Sequence, residues 1–481
     1  MKRRAFLGLT VGAVALGATG LRSSAAAPRW DALARRLSGR LVLPGDRGFA
    51  GFAQPNNLRY AAVRPGAIAL CADARDVGAS ILWARENGVP LVARSGGHSY
   101  AGYSTTHGLM VDMREMRGVA LDEHTGIARI GGGARNADVA RAIAGRPFAI
   151  THGRCPGVGV AGLALGGGIG FNMRAHGFAC DRMTATEIVT ADGAIRTVTG
   201  DDELFWACRG AGGGNFGINT SFTFQTYEVG ARTVCNLTWA REPERVFAAL
   251  LEVLERAPTT VGSKVSAIAP TASSGIKVQL LAQFDGKPDA LREILAPVYA
   301  IGEPAGTTAY EPYWTAQKAL DEPGKPAFYQ ERSRFFDQPL DDRAAATVFA
   351  WLRRYPKTAH EAAFKVFQTG GRVNDVPATA TAFAHRQSHW LSSIELYWEA
   401  ETPSAMLRHN LDWLDGFYDA IVPLARGGAY QNFIDPSLAD WKTAYHGVNL
   451  ERLEAIKRRV DPTGVFTFPE AIPRSGRPAS A

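Results

Sequence analysis

The chain has little of what would place it in several common classes. Only 21% of its 481 residues are charged. No run of Lys and Arg interleaved with aromatics occurs, so the electrostatic footprint of a nucleic-acid binder is missing. Five cysteines, at 71, 155, 180, 208 and 235, form no C-x-x-C pair, and no histidine cluster has metal-ligand spacing, so no metal is expected. No apolar run is long enough to span a bilayer stably; Leu7 to Leu21 is short and diluted by Gly, Ala and Thr. Internal repeats are absent, and nothing specifies an oligomeric state. What remains is 46% apolar residues over 481 positions, enough for a large core divided between two domains.

The first residues, Met1-Lys2-Arg3-Arg4-Ala5-Phe6-Leu7-Gly8, set paired arginines ahead of that weakly apolar run, and Ser24-Ala25-Ala26-Ala27 supplies small residues for cleavage. The pattern is that of a twin-arginine export signal over 1–27, which implies a periplasmic or extracellular protein without a stable membrane anchor. The alternative is an N-terminal helix of a cytoplasmic protein. Removing 1–27 takes away Lys2, Arg3, Arg4 and Arg22 and no acids, lowering the formal charge from +7 to +3. The basic balance therefore says little about partners.

Along the chain, residues 67–94 read as strand, helix, strand, with Val77, Ile81 and Leu82 at helical spacing. A second α+β unit follows: a strand at Ile127–Ile130, a helix near Asn136–Ala144, a hairpin turning at Asp192-Gly193, and a strand over Ser221–Val229. From about Ala231 helices open at Pro243 and Pro288. Strands such as Ile276–Phe284 and Ser393–Glu399 alternate apolar with polar residues, as in an antiparallel sheet backed by helices. A helix carrying Leu450, Leu453, Ile456 and Val460 on one face stops at Asp461-Pro462, and Pro473 to Ala481 reads as a frayed tail.

Glycine is the one excess, at 52 residues, and it is clustered. Arg94-Ser95-Gly96-Gly97-His98-Ser99-Tyr100 follows a strand, and its glycines let backbone N–H groups converge on an anion such as a pyrophosphate. Alternatively it is a tight turn with a hydrogen-bonded histidine. The segment Gly153 to Gly170 holds eight glycines in 18 residues. At about 0.5–1 kcal/mol each relative to alanine, these argue against a helix or strand interior and for close backbone approach to a ligand. A dinucleotide suits such a segment, yet the strand, Gly-x-Gly-x-x-Gly, helix and acid order of the Rossmann fingerprint is not met.

These segments resemble the berberine-bridge-enzyme-like oxidases, with the PCMH-type FAD-binding domain of the vanillyl-alcohol-oxidase superfamily, in a bacterial form. The resemblance is also carried by Asp202 to Gly210, Gly212-Gly213-Gly214-Asn215-Phe216-Gly217-Ile218, Tyr430-Gln431-Asn432-Phe433, Ala444-Tyr445-His446-Gly447 and Asp461-Pro462. It implies an α+β fold: a two-subdomain FAD domain over 55–230, an antiparallel-sheet substrate domain backed by helices over 231–425, and a segment over 426–475 that returns to the first domain. It also implies FAD bonded through the His98 imidazole and the Cys155 thiolate. Arg94 and Ser95 to Ser99 (with Gly96, Gly97 and His98 between) are expected to cradle the pyrophosphate. Gly159, Gly162, Gly166, Gly167 and Gly168 would lie along the ribityl chain and ring, with Asn215, Gly217 and Ile218 closing over the adenine or the ring side. Val158 stands where the family controls oxygen access, and a valine there goes with oxidases. Tyr445-His446-Gly447 departs from the family's usual Tyr-Tyr-Gly.

By the same resemblance Tyr430 is the candidate base, with Asn432 on the same side of its strand. A phenol of unperturbed pKa near 10 needs donors or positive charge to act so, and the alternative is a substrate-stacking aromatic. Period two puts Glu395, Tyr397 and Glu399 on one strand face; that face meets either a hydroxylated substrate or solvent. The function these readings favour is oxidation of an alcohol carbon of a sugar, oligosaccharide or hydroxylated secondary metabolite, with O2 as acceptor and H2O2 as product. Rivals are a dehydrogenase with another acceptor, an oxidase of a C–N bond, and a periplasmic binding protein.

Overall fold

The buried apolar strands Ala67–Leu70 and Leu91–Arg94 both pair in parallel with Leu109–Asp112, and Arg40–Val42 completes a four-stranded sheet. Parallel strands covered on both faces read as continuous apolar runs, which is why this stretch lacks alternation. The helix between them, Ala74–Glu86, starts where the Asp73 carboxylate accepts from the N–H groups of Arg75 and Asp76. It buries Val77, Ile81, Trp83 and Ala84. A computed structural model describes residues 28–271, 275–357 and 360–474. The expected export signal and the tail beyond 474 lie outside the described residues.

A five-stranded sheet follows in the order Val119–Asp122, Ile127–Gly131, Ile218–Gln225, Met183–Val189, Ile195–Thr199. The strand expected over Ser221–Val229 breaks in two. Thr226 hands both its N–H and its hydroxyl to the Gly126 carbonyl, and Tyr227–Glu228 leaves to pair with Phe148–Ala149. The glycine-rich segment also departs from expectation, because Val160–Leu165 is a six-residue helix flanked by Gly159 and Gly166, with Gly162 inside it. Burial of Val160, Ala161, Ala164 and Leu165 outweighs the roughly 1 kcal/mol that one internal glycine costs. The C-terminal helix Leu450–Val460 returns to this layer, where Leu453 and Ile456 join the cluster of Ile130, Phe222 and Phe224.

The remaining layer is an antiparallel seven-stranded sheet, ordered Ala305–Pro312, Ala231–Trp239, Lys277–Phe284, Val261–Ala269, Ala362–Gln368, Trp390–Trp398, Phe328–Phe336. Its two faces differ. Val265, Leu280, Phe364, Val366, Ile394 and Leu396 pack against helices Pro243–Arg256, Asp342–Arg353 and Ser404–Ala425. The intervening residues of the last three strands include Glu331, Ser333, Lys365, Ser393 and Glu395, brought side by side by the pairings Glu331 with Glu395 and Lys365 with Ser393. That polar face is buried as well, because the two preceding layers cover it.

Two buried arginines fasten the layers together. Arg174 donates to the carbonyls of Ala257, Pro258, Val261 and Thr369 at 2.7–3.1 Å. Arg386 grips Asp181 with two hydrogen bonds of 2.8 and 2.6 Å. Both walls of the space between the layers are thus held in register.

Candidate active site

The two loops singled out in the sequence meet backbone to backbone. A Cβ on Gly96 would lie 2.2 Å from the Gly159 nitrogen, and one on Gly159 would lie 2.3 Å from the Gly96 nitrogen. Only hydrogens fit there, and the contact sets His98 beside the Cys155 loop. A third segment crosses both: a Cβ on Gly324 would sit 3.4 Å from Cys155 Cβ and 3.5 Å from His98 Cε1. The imidazole and the thiol, 57 positions apart in sequence, therefore press on the same point.

Between the layers lies a cavity of about 2400 Å³, its open mouth included. Of the candidate residues read from the sequence, its wall carries His98, Cys155, Ser95, Gly96, Gly97, Ser99, Val158, Gly159, Gly162, Asn215, Gly217, Ile218, Asn432, Tyr430, Glu395 and Tyr397. The glycines divide by what surrounds them. Gly162 has nothing within 4 Å of an added Cβ, and Gly97, Gly213 and Gly214 have nothing closer than 3.8, 3.6 and 3.9 Å. These four leave room for a ligand. Gly96, Gly159 and Gly217 instead pack against protein backbone.

Four expected cofactor residues are not on the cavity wall. Arg94 is buried, and its guanidinium donates to the carbonyls of Phe52, Ala53, Gln54 and Ser104, so it anchors the loop from behind. Gly166, Gly167 and Gly168 pack against Asn432, Phe383 and Ala179, with an added Cβ meeting them at 2.1, 2.7 and 2.5 Å. Asn215 reaches the wall, but its side chain closes its own turn: the amide nitrogen donates to Ala211 and the oxygen accepts from Ile472 N–H.

Burial decides the state of this histidine and cysteine. It pushes the His98 imidazole down to about 4, leaving it neutral with a free lone pair. Burial, helped by Glu322, pushes the Cys155 thiol up to about 11, while Arg154 and Lys365 act in the opposite sense.

Tyr430 lies in a turn rather than on a strand, so Asn432 reaches it around the turn. Its hydroxyl oxygen accepts from Gly168 N–H at 3.1 Å, Ile169 N–H at 3.2 Å and the Asn432 amide at 3.0 Å. Three donors on one oxygen exceed the two lone pairs of a neutral phenol and suit a phenolate. Burial nonetheless dominates and pushes Tyr430 up to about 12.

On the sheet wall, the Tyr397 hydroxyl donates to Glu395 at 2.6 Å, and Glu395 is ion-paired with Lys365. Against the burial that would lower it, Glu395 and Glu331 hold the Lys365 ammonium above the usual lysine range. Burial raises the Glu331 carboxyl. Glu399, on the same face by alternation, lies past the strand end, exposed and paired with His360. Sequence reasoning missed Glu331 and Lys365, although period-two alternation in Phe328–Phe336 and Ala362–Gln368 puts both on the polar face. It also missed Tyr100 and Phe433, which stack at 5.1 Å, with Tyr329 edge-on to Tyr100.

Residues 65–199 match the FAD binding domain family, and residues 429–473 the berberine and berberine-like family. An FAD-linked oxidoreductase of Bacillus subtilis, YgaK, is 31% identical over 452 residues, spanning 91% of this chain and 97% of that protein. The chain belongs to the berberine-bridge-enzyme-like FAD-linked oxidoreductases. Xylooligosaccharide oxidase of Thermothelomyces thermophilus is 31% identical over 445 residues, 85% of this chain and 87% of that one. Among solved structures, BBE-like 1 of Physcomitrella patens superposes with a TM-score of 0.83 at 25% identity, over 93% of this chain and 99% of that one.

The cofactor of this oxidoreductase is FAD, and the cavity fits it. Besides the four open glycines, the hydroxyls of Ser95 and Ser104 are buried on the wall without a hydrogen-bond partner, and a diphosphate offers acceptors for both. The sorting of glycines has a direct test. Gly159→Ala forces backbone apart and should lower the unfolding temperature sharply, whereas Gly162→Ala should leave apoprotein stability nearly unchanged but reduce FAD content. Equal effects on stability would show that Gly162 is not a cofactor-facing position.

Proposed function

We propose that this oxidoreductase holds its FAD through both His98 and Cys155 and oxidises an alcohol carbon of a sugar, oligosaccharide or hydroxylated secondary metabolite, with O2 as acceptor and H2O2 as product. The convergence of the imidazole and the thiol on Gly324 carries the reading: a neutral histidine and a cysteine at one spot can grip one edge of a flavin. The likeness to xylooligosaccharide oxidase supports the substrate class. Bound FAD supplies a two-electron hydride acceptor that then passes the electrons on.

The chain's own part is to bind the substrate and manage its proton. As the substrate carbon loses hydride, its hydroxyl loses a proton, which Tyr430 receives with Gly168, Ile169 and Asn432 holding the phenolate. Tyr397, Glu395, Glu331 and Lys365 provide hydroxyl, carboxylate and ammonium groups on the opposite wall, a set that pairs with vicinal hydroxyls. Tyr100, Tyr329 and Phe433 provide aromatic faces. Val158, small and on the wall, leaves oxygen a path.

Acid-precipitated protein should remain yellow. Cys155→Ala and His98→Ala should each keep one link and show a lowered flavin potential; colour passing wholly into the supernatant from the parent protein would refute the double link. Because the Tyr430 phenol stands at about 12, its base form grows as pH rises. The rate of flavin reduction should therefore climb through the neutral range. Tyr430→Phe should flatten that climb and slow reduction by about 10²–10⁴-fold, and an unchanged profile would assign the proton elsewhere. Across a sugar and polyphenol panel, peroxide should form mole for mole with oxidised product, and slow reoxidation by O2 in stopped flow would point to another acceptor.

A further inference from the structure

Glu470 is a buried acid that the chemistry above does not use. It lies on the cavity wall, 7% exposed; neither of its carboxyl oxygens has a hydrogen-bond partner within 3.5 Å, and the Tyr103 phenol is the one donor acting on it from farther off. It is the one cavity-wall carboxyl among the described residues with both oxygens so placed. A buried acid with one distant donor for two oxygens costs about 1–3 kcal/mol, so its persistence calls for a ligand.

Its backbone is held firmly. Ile472 N–H donates to Asn215 at 2.9 Å, and Lys457 bridges the carbonyls of Asn215 and Phe466, each at 2.6 Å. Residues 466–472 are thereby clamped onto the Gly212–Asn215 turn, where Gly213 and Gly214 are open to the cavity. Phe468, two residues before Glu470, packs on Tyr103 at 5.1 Å, and Tyr103 N–H is tied to the Ser99 hydroxyl. Glu470 thus faces the cavity between two turns already assigned to FAD. His98 and Cys155 mark the ring end, and neither is among the groups acting on Glu470.

We infer that Glu470 is a cofactor ligand, presenting a neutral carboxylic acid that donates a hydrogen bond to an oxygen of the ribityl–diphosphate chain. Each flavin and adenine ring is joined to that chain, which alone offers a row of oxygen acceptors. The groups facing Glu470 are the phenols of Tyr60, Tyr103 and Tyr445 and the carboxylate of Asp435, with no cation among those acting on it. Burial raises the acid to about 7 against the opposing pull of the Tyr103 phenol, and Asp435 adds to the rise. A phosphate nearby favours the protonated form further, whereas an ionised Glu470 would repel it.

The inference rests on FAD as the cofactor and not on its linkage. In the His98→Ala/Cys155→Ala protein, where flavin is exchangeable, FAD binding is followed by flavin fluorescence. Affinity should be constant below a pH of about 7 and fall above it. E470Q retains an N–H donor and cannot ionise, so it should keep the low-pH affinity and lose the fall. E470A should weaken binding about tenfold at low pH, as loss of one hydrogen bond to a charged acceptor does. Affinity rising with pH, or E470Q titrating like its parent, would overturn the assignment. Should the unlinked protein not fold, the unfolding temperature of the linked holoenzyme gives the same reading: a drop as pH rises through about 7 in the parent and none in E470Q. A drop of equal size in both would overturn it.

Discussion

The site depends on two glycines touching. Where Gly96 and Gly159 meet, the backbones approach to a separation that no Cβ allows, and this contact fixes the distance between the histidine loop and the cysteine loop. Everything reactive is referenced to it. His98 lies two residues beyond one glycine, and Cys155 four residues before the other. The same turn leads into the helix Val160–Leu165, whose end positions the Gly168 and Ile169 N–H groups on Tyr430. A single steric fact thus links the histidine–cysteine end of the site to the Tyr430 end.

The second requirement is a wall that stays in place opposite those loops. The seven-stranded sheet supplies it by having two unlike buried faces, one oil-filled against helices and one lined with acids, a lysine and a tyrosine. Burying Glu331, Glu395 and Lys365 is tolerable because the Lys365 ammonium is ion-paired with Glu395 and also feels the Glu331 carboxyl. Arg174 and Arg386 hold that wall against the four- and five-stranded layers through carbonyls and a carboxylate rather than through apolar contact alone. Their geometry is directional, so the two layers have a register as well as an adhesion.

Much of this arrangement could be read from residue patterns. Period-two alternation exposed the face bearing Glu395 and Tyr397, Pro243 and Pro288 opened helices as expected, and Asp192-Gly193 turned the hairpin. His98 and Cys155 came from the family resemblance, and the fold then brought them together. What could not be read is which glycine faces a ligand and which faces protein. Gly162 and Gly168 look alike in sequence; one sits in open space and the other packs on Ala179, and only the tertiary path decides. Arg94 failed for a related reason, since a basic residue beside a phosphate loop serves equally well as a buried clamp for carbonyls. Lys365 was hidden because an apolar flank masks one charge within a strand, and Glu331 because Gln330, Arg332 and Arg334 make the opposite face of its strand look just as polar.

The strap carrying Gly324 closes over the spot where the imidazole and the thiol meet, tied down by the Asn56 amide donating to the Gly324 carbonyl at 2.8 Å. An added Cβ at Gly324 would meet the imidazole carbon at 3.5 Å and the sulfur at 3.6 Å, so any larger side chain there would crowd both groups at once. Position 324 thus sets how much room the histidine and the cysteine share.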